Sequence, residues 1–438
     1  MSRPFRPFDR EIARLALPAL VTLLAEPTYL LVDTAVVGHL GADQLGGLAV
    51  ASALLLTVAS LCVFLAYGTT AAVARLLGAG DRRGAADDAV QGLWLAVGVG
   101  VLFAVLLGVA SGPLVGLLGA HGATADAALV YLRISVVGFP FLLLTFAGSG
   151  YLRGVQRTTP PMVIALVGAG LNVVLDLVLI PGLGFGIGAS ALATVVAQVV
   201  TGGAFVVVVG RLASAEGAGF RPNRSAQRRL IRVGVDLAVR TAALRLSLLL
   251  LTAVAARIGT DDLAAHQVAF EVWNFLALGL DSLAIAGQAM VGLRLGRGDA
   301  NEARAVGDRL LVLGLWASLG LGVVVVALIP VLPHVFSPDA DVRSLVAFLL
   351  VWVAVMQPLA SVVWVLDGIL IGAGDQRFLA RAMVAAAAVF AACAVPVLPL
   401  GLGIGWLWAA YLMLLLSRAT ILGLRYRGDR WIRLGAHA

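Results

Sequence analysis

Along this chain, apolar residues run in uninterrupted stretches of about 20 to 25 positions, divided by short breaks rich in glycine, arginine and aspartate. At about 1.5 Å of rise per residue, one such stretch as a helix crosses a hydrocarbon layer of about 30 Å. The pattern predicts twelve of them, over residues 12–38, 46–72, 88–111, 127–150, 161–181, 187–210, 232–256, 264–293, 305–330, 342–369, 380–399 and 402–424. The runs are continuous and long, whereas a membrane strand alternates polar and apolar over about ten residues, so helices are expected throughout. The predicted fold class is therefore an all-α polytopic membrane protein.

Composition agrees with that reading. Of 438 residues, 61% are hydrophobic and only 13% charged, with a mean hydropathy of +1.01; soluble domains carry about 25% charged residues. The opening "MSRPFRPFDREIARLALPAL" shows no cleavable-signal pattern, because its apolar run continues past a short hydrophobic core with no small-residue cleavage site. It is expected to remain attached as the first span. Cys62 and Cys393 fall within spans of opposite halves and read as small apolar side chains.

A sequence pI of about 10.2 raises the question of a nucleic-acid partner. The positions of the arginines argue against one. They cluster before the first span (Arg3, Arg6, Arg10, Arg14), between spans two and three (Arg75, Arg82, Arg83), between four and five (Arg153, Arg157) and in the central segment around Arg221–Arg232, and the alternation continues to Arg433. The intervening loops are nearly free of arginine, apart from Arg257 and Arg343. By the positive-inside rule both termini are cytoplasmic, and the partner of the surface is the lipid bilayer.

Shifting the chain against itself by 218 positions aligns "LGAGD" at Leu77–Asp81 with "LGRGD" at Leu295–Asp299, Gly150 and Gly154 with Gly368 and Gly372, and Gly41 with Gly259. Each half holds six spans, so equivalent spans run in the same direction. A parallel repeat about an axis along the membrane normal is a transporter architecture. The expected organisation is an N-terminal lobe over residues 1–210, a cytoplasmic linker over 211–231 and a C-terminal lobe over 232–438. "GLGFGIG" from Gly182 reads as an interhelical turn and not a dinucleotide fingerprint, and Asp299 of "GRGD" as a helix cap. No nucleophile triad or metal-ligand cluster can be placed on one face, so the chain is not expected to be an enzyme, and no cofactor is implied.

Ionisable groups inside spans are costly and mark functional sites by default. Those in this chain are Glu26, Asp33, Asp176, Arg240, Arg245, Glu271, Asp281 and Asp367. Asp33 and Asp176 each lie roughly 8 Å from the outer end of their spans, and Thr194 roughly 10 Å into the sixth. Asn172 precedes Asp176 by one helical turn and shares its face. If these four converge they offer two carboxylates, an amide and a hydroxyl, fit for a proton or for a small oxygen-seeking cation such as sodium. The alternative is that the two aspartates only hold spans together.

Glu26 lies roughly 10 Å below Asp33 on nearly the same helix face, placed to relay protons or to meet the positive end of a substrate. Pro27 removes one backbone hydrogen bond beside it, as a hinge or as a fixed kink. In the second half, Arg245 and Asp281 are central in adjacent spans and are expected to pair, Glu271 is open to a cavity role, and Asp367 sits near the watery cytoplasmic end of its span.

The stretch "EPTYLLVDTAVVGHLGADQLGGLAVA", with "AHQVAFEVWNFLALGLDSLAIAGQAMVG" at Ala265–Gly292, resembles the multidrug and toxic compound extrusion (MATE) family, in its DNA-damage-inducible F (DinF) type branch, over essentially the whole chain. The resemblance implies two six-helix lobes forming a V around a central cavity, and ion-coupled export of amphipathic, mainly cationic organic compounds by a monomer in a bacterial cytoplasmic membrane. The family's first-helix aspartate falls on Asp33, and its N-lobe polar cluster on Asn172, Asp176 and Thr194. The stretch "LAVRTAALRLSLLLLTAVAAR" of span seven, Leu237–Arg257, carries no acidic residue, unlike the other bacterial branch, and coupling is therefore expected in the first lobe. A lipid-linked precursor flippase of a related two-lobed family is the alternative.

Overall fold

The computed structural model describes residues 8–436, and among these every regular element is helical. Twelve helices are long and apolar enough to span a membrane: α1 (Asp9–Gly38), α2 (Ala42–Gly78), α3 (Arg82–Val109), α4 (Gly122–Gly154), α5 (Thr159–Gly182), α6 (Ile187–Ala215), α7 (Arg224–Ile258), α8 (Thr260–Gly296), α9 (Ala300–Leu328), α10 (Ala340–Gly372), α11 (Gln376–Val397) and α12 (Ile404–Arg427). Most outlast the apolar runs that predict them, and α3 and α9 carry a side-chain cap at their first turn. Asp81 accepts from the Gly84 amide at 2.7 Å and Asp299 from the Glu302 amide at 2.8 Å. The expected linker is largely helical too, with only residues 216–223 lying between α6 and α7.

The chain divides into two compact units. One comprises Leu17–Gly234; the other joins the beginning of α1, up to Ala16, to the chain from Val235 onward. The first two turns of α1 are thus tied into the second unit. Arg309 of α9 holds Asp9 with two bonds of 2.6 and 2.7 Å, and Arg294 of α8 holds Glu11 with two of 2.9 and 2.7 Å. The first turns of α7 belong reciprocally to the first unit, where Arg229 reaches Asp88 of α3. Gln91 of α3 also donates to the Arg221 carbonyl and accepts from the Asn223 amide.

The sequence repeat reappears as one helix contact built twice. In the first unit a Cβ on Gly150 of α4 would sit 2.6 Å from the Ala66 carbonyl oxygen of α2, and one on Gly154 3.0 Å from that of Thr70. In the second unit a Cβ on Gly368 of α10 would collide with the Ala284 carbonyl of α8, and one on Gly372 would lie 2.5 Å from that of Gln288. Both partners obey the same 218-residue shift, Ala66 to Ala284 and Thr70 to Gln288. Small residues at such crossings let helix backbones approach closely, and close packing drives association where lipid supplies no hydrophobic contrast.

Gly368→Val, which forces a branched side chain into a backbone carbonyl, is expected to destabilise the folded protein by about 1–3 kcal/mol. Gly98→Ala, whose Cβ would meet nothing within 4 Å, is expected to leave stability unchanged or raise it by up to about 1 kcal/mol. Thermal unfolding of the two variants in the same detergent checks the contrast.

Candidate functional site

In the first unit, four helices deliver polar side chains to one buried place. Asp33 comes from α1, Tyr131 from α4, Asn172 and Asp176 from α5, and Ser190 and Thr194 from α6. The one-turn spacing of Asn172 and Asp176, and of Ser190 and Thr194, turns each pair to a single helix face. Asp33 is 2% exposed and Asp176 fully buried. The Ser190 hydroxyl donates to Asp33 Oδ1. With the Asn172 amide oriented to satisfy both neighbours, its Nδ2 donates to Asp176 Oδ2 at 3.1 Å, while its Oδ1 accepts from the Thr194 hydroxyl at 3.1 Å. The buried Tyr131 side chain lies beside Thr194 and Ser190.

The four residues expected from sequence are therefore brought together, joined by two that sequence reasoning did not name, Ser190 and Tyr131. Two features of the cluster bear on its chemistry. Neither aspartate has an ion-pair partner among the described residues, although the two interact electrostatically. In addition, Asp176 Oδ1 is buried and accepts no hydrogen bond. A buried carboxylate oxygen of this kind calls for a proton or a cation, because an uncompensated charge in a low dielectric costs several kcal/mol.

Helix α1 is continuous through Pro27, and Thr28 turns its hydroxyl back to the Leu24 carbonyl at 2.7 Å. A second proline lies inside the same helix, Pro18, two positions beyond the last residue of α1 that belongs to the second unit. Glu26 is exposed and forms no ion pair among the described residues. Tyr29 lies between Glu26 and Asp33 along α1, near both and near Tyr131 and Asp176.

The second unit departs from expectation. Arg245 forms no hydrogen bond or ion pair with a described residue, so the expected pair with Asp281 is absent. The buried ionic centre is instead Asp367, bonded to Arg240 of α7 at 2.5 Å and to Arg418 of α12. Asp367 is 6% exposed and not at a watery helix end, because side chains from two other helices close over it. Arg418 also stacks on Trp364, 5.6 Å from the ring centre. An aromatic ladder leads away from this centre through Trp364, Trp273, Tyr411 and Trp408 to the fully buried His266. Glu271 is exposed and accepts from Gln267 at 3.1 Å.

Twelve helices long and apolar enough to span a membrane, in two repeats of one pattern, with a buried carboxylate pair in the first, define a membrane transporter. The MatE family profile matches residues 18–178 and 237–397, once in each half, and the chain belongs to that family. It is 31% identical over 386 residues to Protein DETOXIFICATION 44, chloroplastic, of Arabidopsis thaliana, covering 85% of this chain and 74% of that one. DNA damage-inducible protein F of Escherichia coli (strain K12) is 29% identical over 439 residues, covering 97% and 94%. Among solved structures, the outward-facing conformation of a multidrug resistance MATE family transporter superposes with a TM-score of 0.88 at 22% identity, covering 95% of this chain and 94% of that one. At that identity the structural likeness concerns the fold alone.

Asp367→Asn is expected to destabilise the protein by about 3–5 kcal/mol, because it leaves two arginines in the membrane without their shared counter-charge. Asp33→Asn removes no counter-charge from any arginine and is expected to cost far less. Thermal unfolding of both variants checks the asymmetry.

Proposed function

We propose that the protein is a secondary active multidrug efflux antiporter. It exports amphipathic, mainly cationic organic compounds in exchange for protons, with sodium as the alternative coupling ion at the same residues. The observation that carries this reading is the pair Asp33 and Asp176, buried together without a basic partner. A permanent arginine would neutralise such a site once and for all. A mobile cation neutralises it only while bound, so the charge of the cluster changes during a cycle.

In the proposed cycle the cluster takes its ion from the outside, with Asp176 Oδ1 the open acceptor and Ser190, Asn172, Thr194 and Tyr131 fixing the geometry around it. Occupancy lowers the affinity for a cationic substrate, which leaves outward; the emptied, negative site favours the next cationic substrate from within. Tyr29 and Glu26 extend the polar path along α1. Glu271 and Asp281 of α8 remain candidates for meeting substrate, and the flexible point of α1 lies at Pro27 or Pro18.

Exchange of one proton for one monovalent cation moves no net charge. The membrane potential, about 2.3 kcal/mol per charge per 100 mV, then contributes nothing, and a pH difference supplies about 1.4 kcal/mol per unit. We place the protein, acting as a monomer, in a bacterial cytoplasmic membrane with both termini inside.

Efflux of a fluorescent organic cation from proteoliposomes, driven by an imposed pH or sodium gradient, tests the proposal. The native protein is expected to respond to one of the two gradients, which names the ion. Asp33→Asn and Asp176→Asn are each expected to reduce gradient-driven efflux at least about tenfold, the loss of about 1.4 kcal/mol or more of coupling, while folding as the native protein does. Native rates in both variants would make the carboxylates structural and refute the coupling site.

A further inference from the structure

A groove of 670 Å³ runs between α7 and α11, entirely within the second unit and remote in sequence from the carboxylate cluster. That volume is in the range of small-molecule sites, about 300–1,000 Å³. Its mouth is charged and its length is apolar. Arg377 and Arg381 stand one turn apart in the first two turns of α11, on one face, with Asp236 of α7 opposite them. Val384, Ala385 and Ala388 continue the same face of α11, and Val239 lines the α7 side. The run of four alanines from Ala385 to Ala388 keeps this stretch of α11 slim.

Three observations identify an occupant. From Arg377 to Ala388 the helix rises about 16 Å, close to the depth of one leaflet, half of a hydrocarbon core of about 30 Å. The two arginines are available: both are exposed, Arg377 approaches Asp236 only to 3.9 Å, and Arg381 has no ion-pair partner among the described residues. The mouth thus carries two positive charges against one negative. Finally, this end of α11 is the arginine-rich side, which the positive-inside rule assigns to the cytoplasmic leaflet, where anionic lipids attract basic side chains at membrane depth.

We propose that the groove is a binding site for an anionic phospholipid, its phosphate on Arg377 and Arg381 and one acyl chain along Val384, Ala385 and Ala388. The lipid fills the space between two helices of one unit, immediately beyond Gly234, where α7 passes from one compact unit to the other. Asp236 selects against a second negative charge at the headgroup and favours lipids with a single phosphodiester, such as phosphatidylglycerol.

The test is intact-protein mass spectrometry of the full chain, released from mixed micelles holding equal amounts of phosphatidylglycerol and phosphatidylcholine. The native protein is expected to retain phosphatidylglycerol preferentially. Arg377→Gln with Arg381→Gln is expected to lower that preference about 25-fold, about fivefold per arginine, and Asp236→Asn to raise it. Ala385→Leu with Ala388→Leu, which fills the trough and spares the arginines, is expected to lose the lipid. Excess soluble glycerophosphate is expected not to displace it.

Equal retention of the two lipids by the native protein, an unchanged preference in the arginine variant, or undiminished retention in the filled-trough variant overturns the proposal. Displacement by glycerophosphate overturns it as well, since the site would then hold a free phosphate and no acyl chain. Should the arginine variant not fold, Asp236→Asn and the glycerophosphate competition decide between the outcomes.

Discussion

A charge inside a hydrocarbon layer costs several kcal/mol unless something beside it supplies the opposite sign, and the two halves of this chain meet that demand in opposite ways. In the second unit Asp367 is matched by Arg240 and Arg418 within a setting of tryptophan and tyrosine. The carboxylate of Asp367 therefore needs no counter-charge from outside. In the first unit Asp33 and Asp176 are surrounded by hydroxyls and an amide that hold them in place and leave their charge unmet. The repeat thus carries a carboxylate held between two arginines in one copy and a carboxylate pair without a basic partner in the other.

Much of this was readable before any coordinates. The twelve helices follow from apolar runs too long to be anything else, and the close crossings at Gly150, Gly154, Gly368 and Gly372 were visible as an alignment of glycines, though not as collisions with carbonyls. The carboxylate cluster was legible because its members are rare within spans and share a depth. Ser190 was not, since a serine hydroxyl inside a helix can satisfy itself on its own backbone and carries no signal of a shared site; Tyr131 was not, since an aromatic side chain within an apolar span reads as core.

The ionic centre of the second unit escaped for a different reason. Asp367 lies five residues from Gly372, the end of its helix, and position along one span suggests water nearby. Its burial is decided by side chains from α7 and α12, which no one-dimensional depth argument contains. Arg245 and Asp281 were paired for being central in consecutive spans, but centrality fixes depth and says nothing of which way each helix is turned.

The ties of the first helix to its distant partners have a bearing on how the chain is made. Asp9 is held by Arg309 and Glu11 by Arg294, across 300 and 283 residues of sequence. These turns must therefore wait until some 283 and 300 further residues have been made before their partners exist, and loop closure over such distances is slow. Each half of the repeat lends the other the opening of a helix. The gene duplication that the glycines record has been stitched into one molecule that is finished only when its second half is.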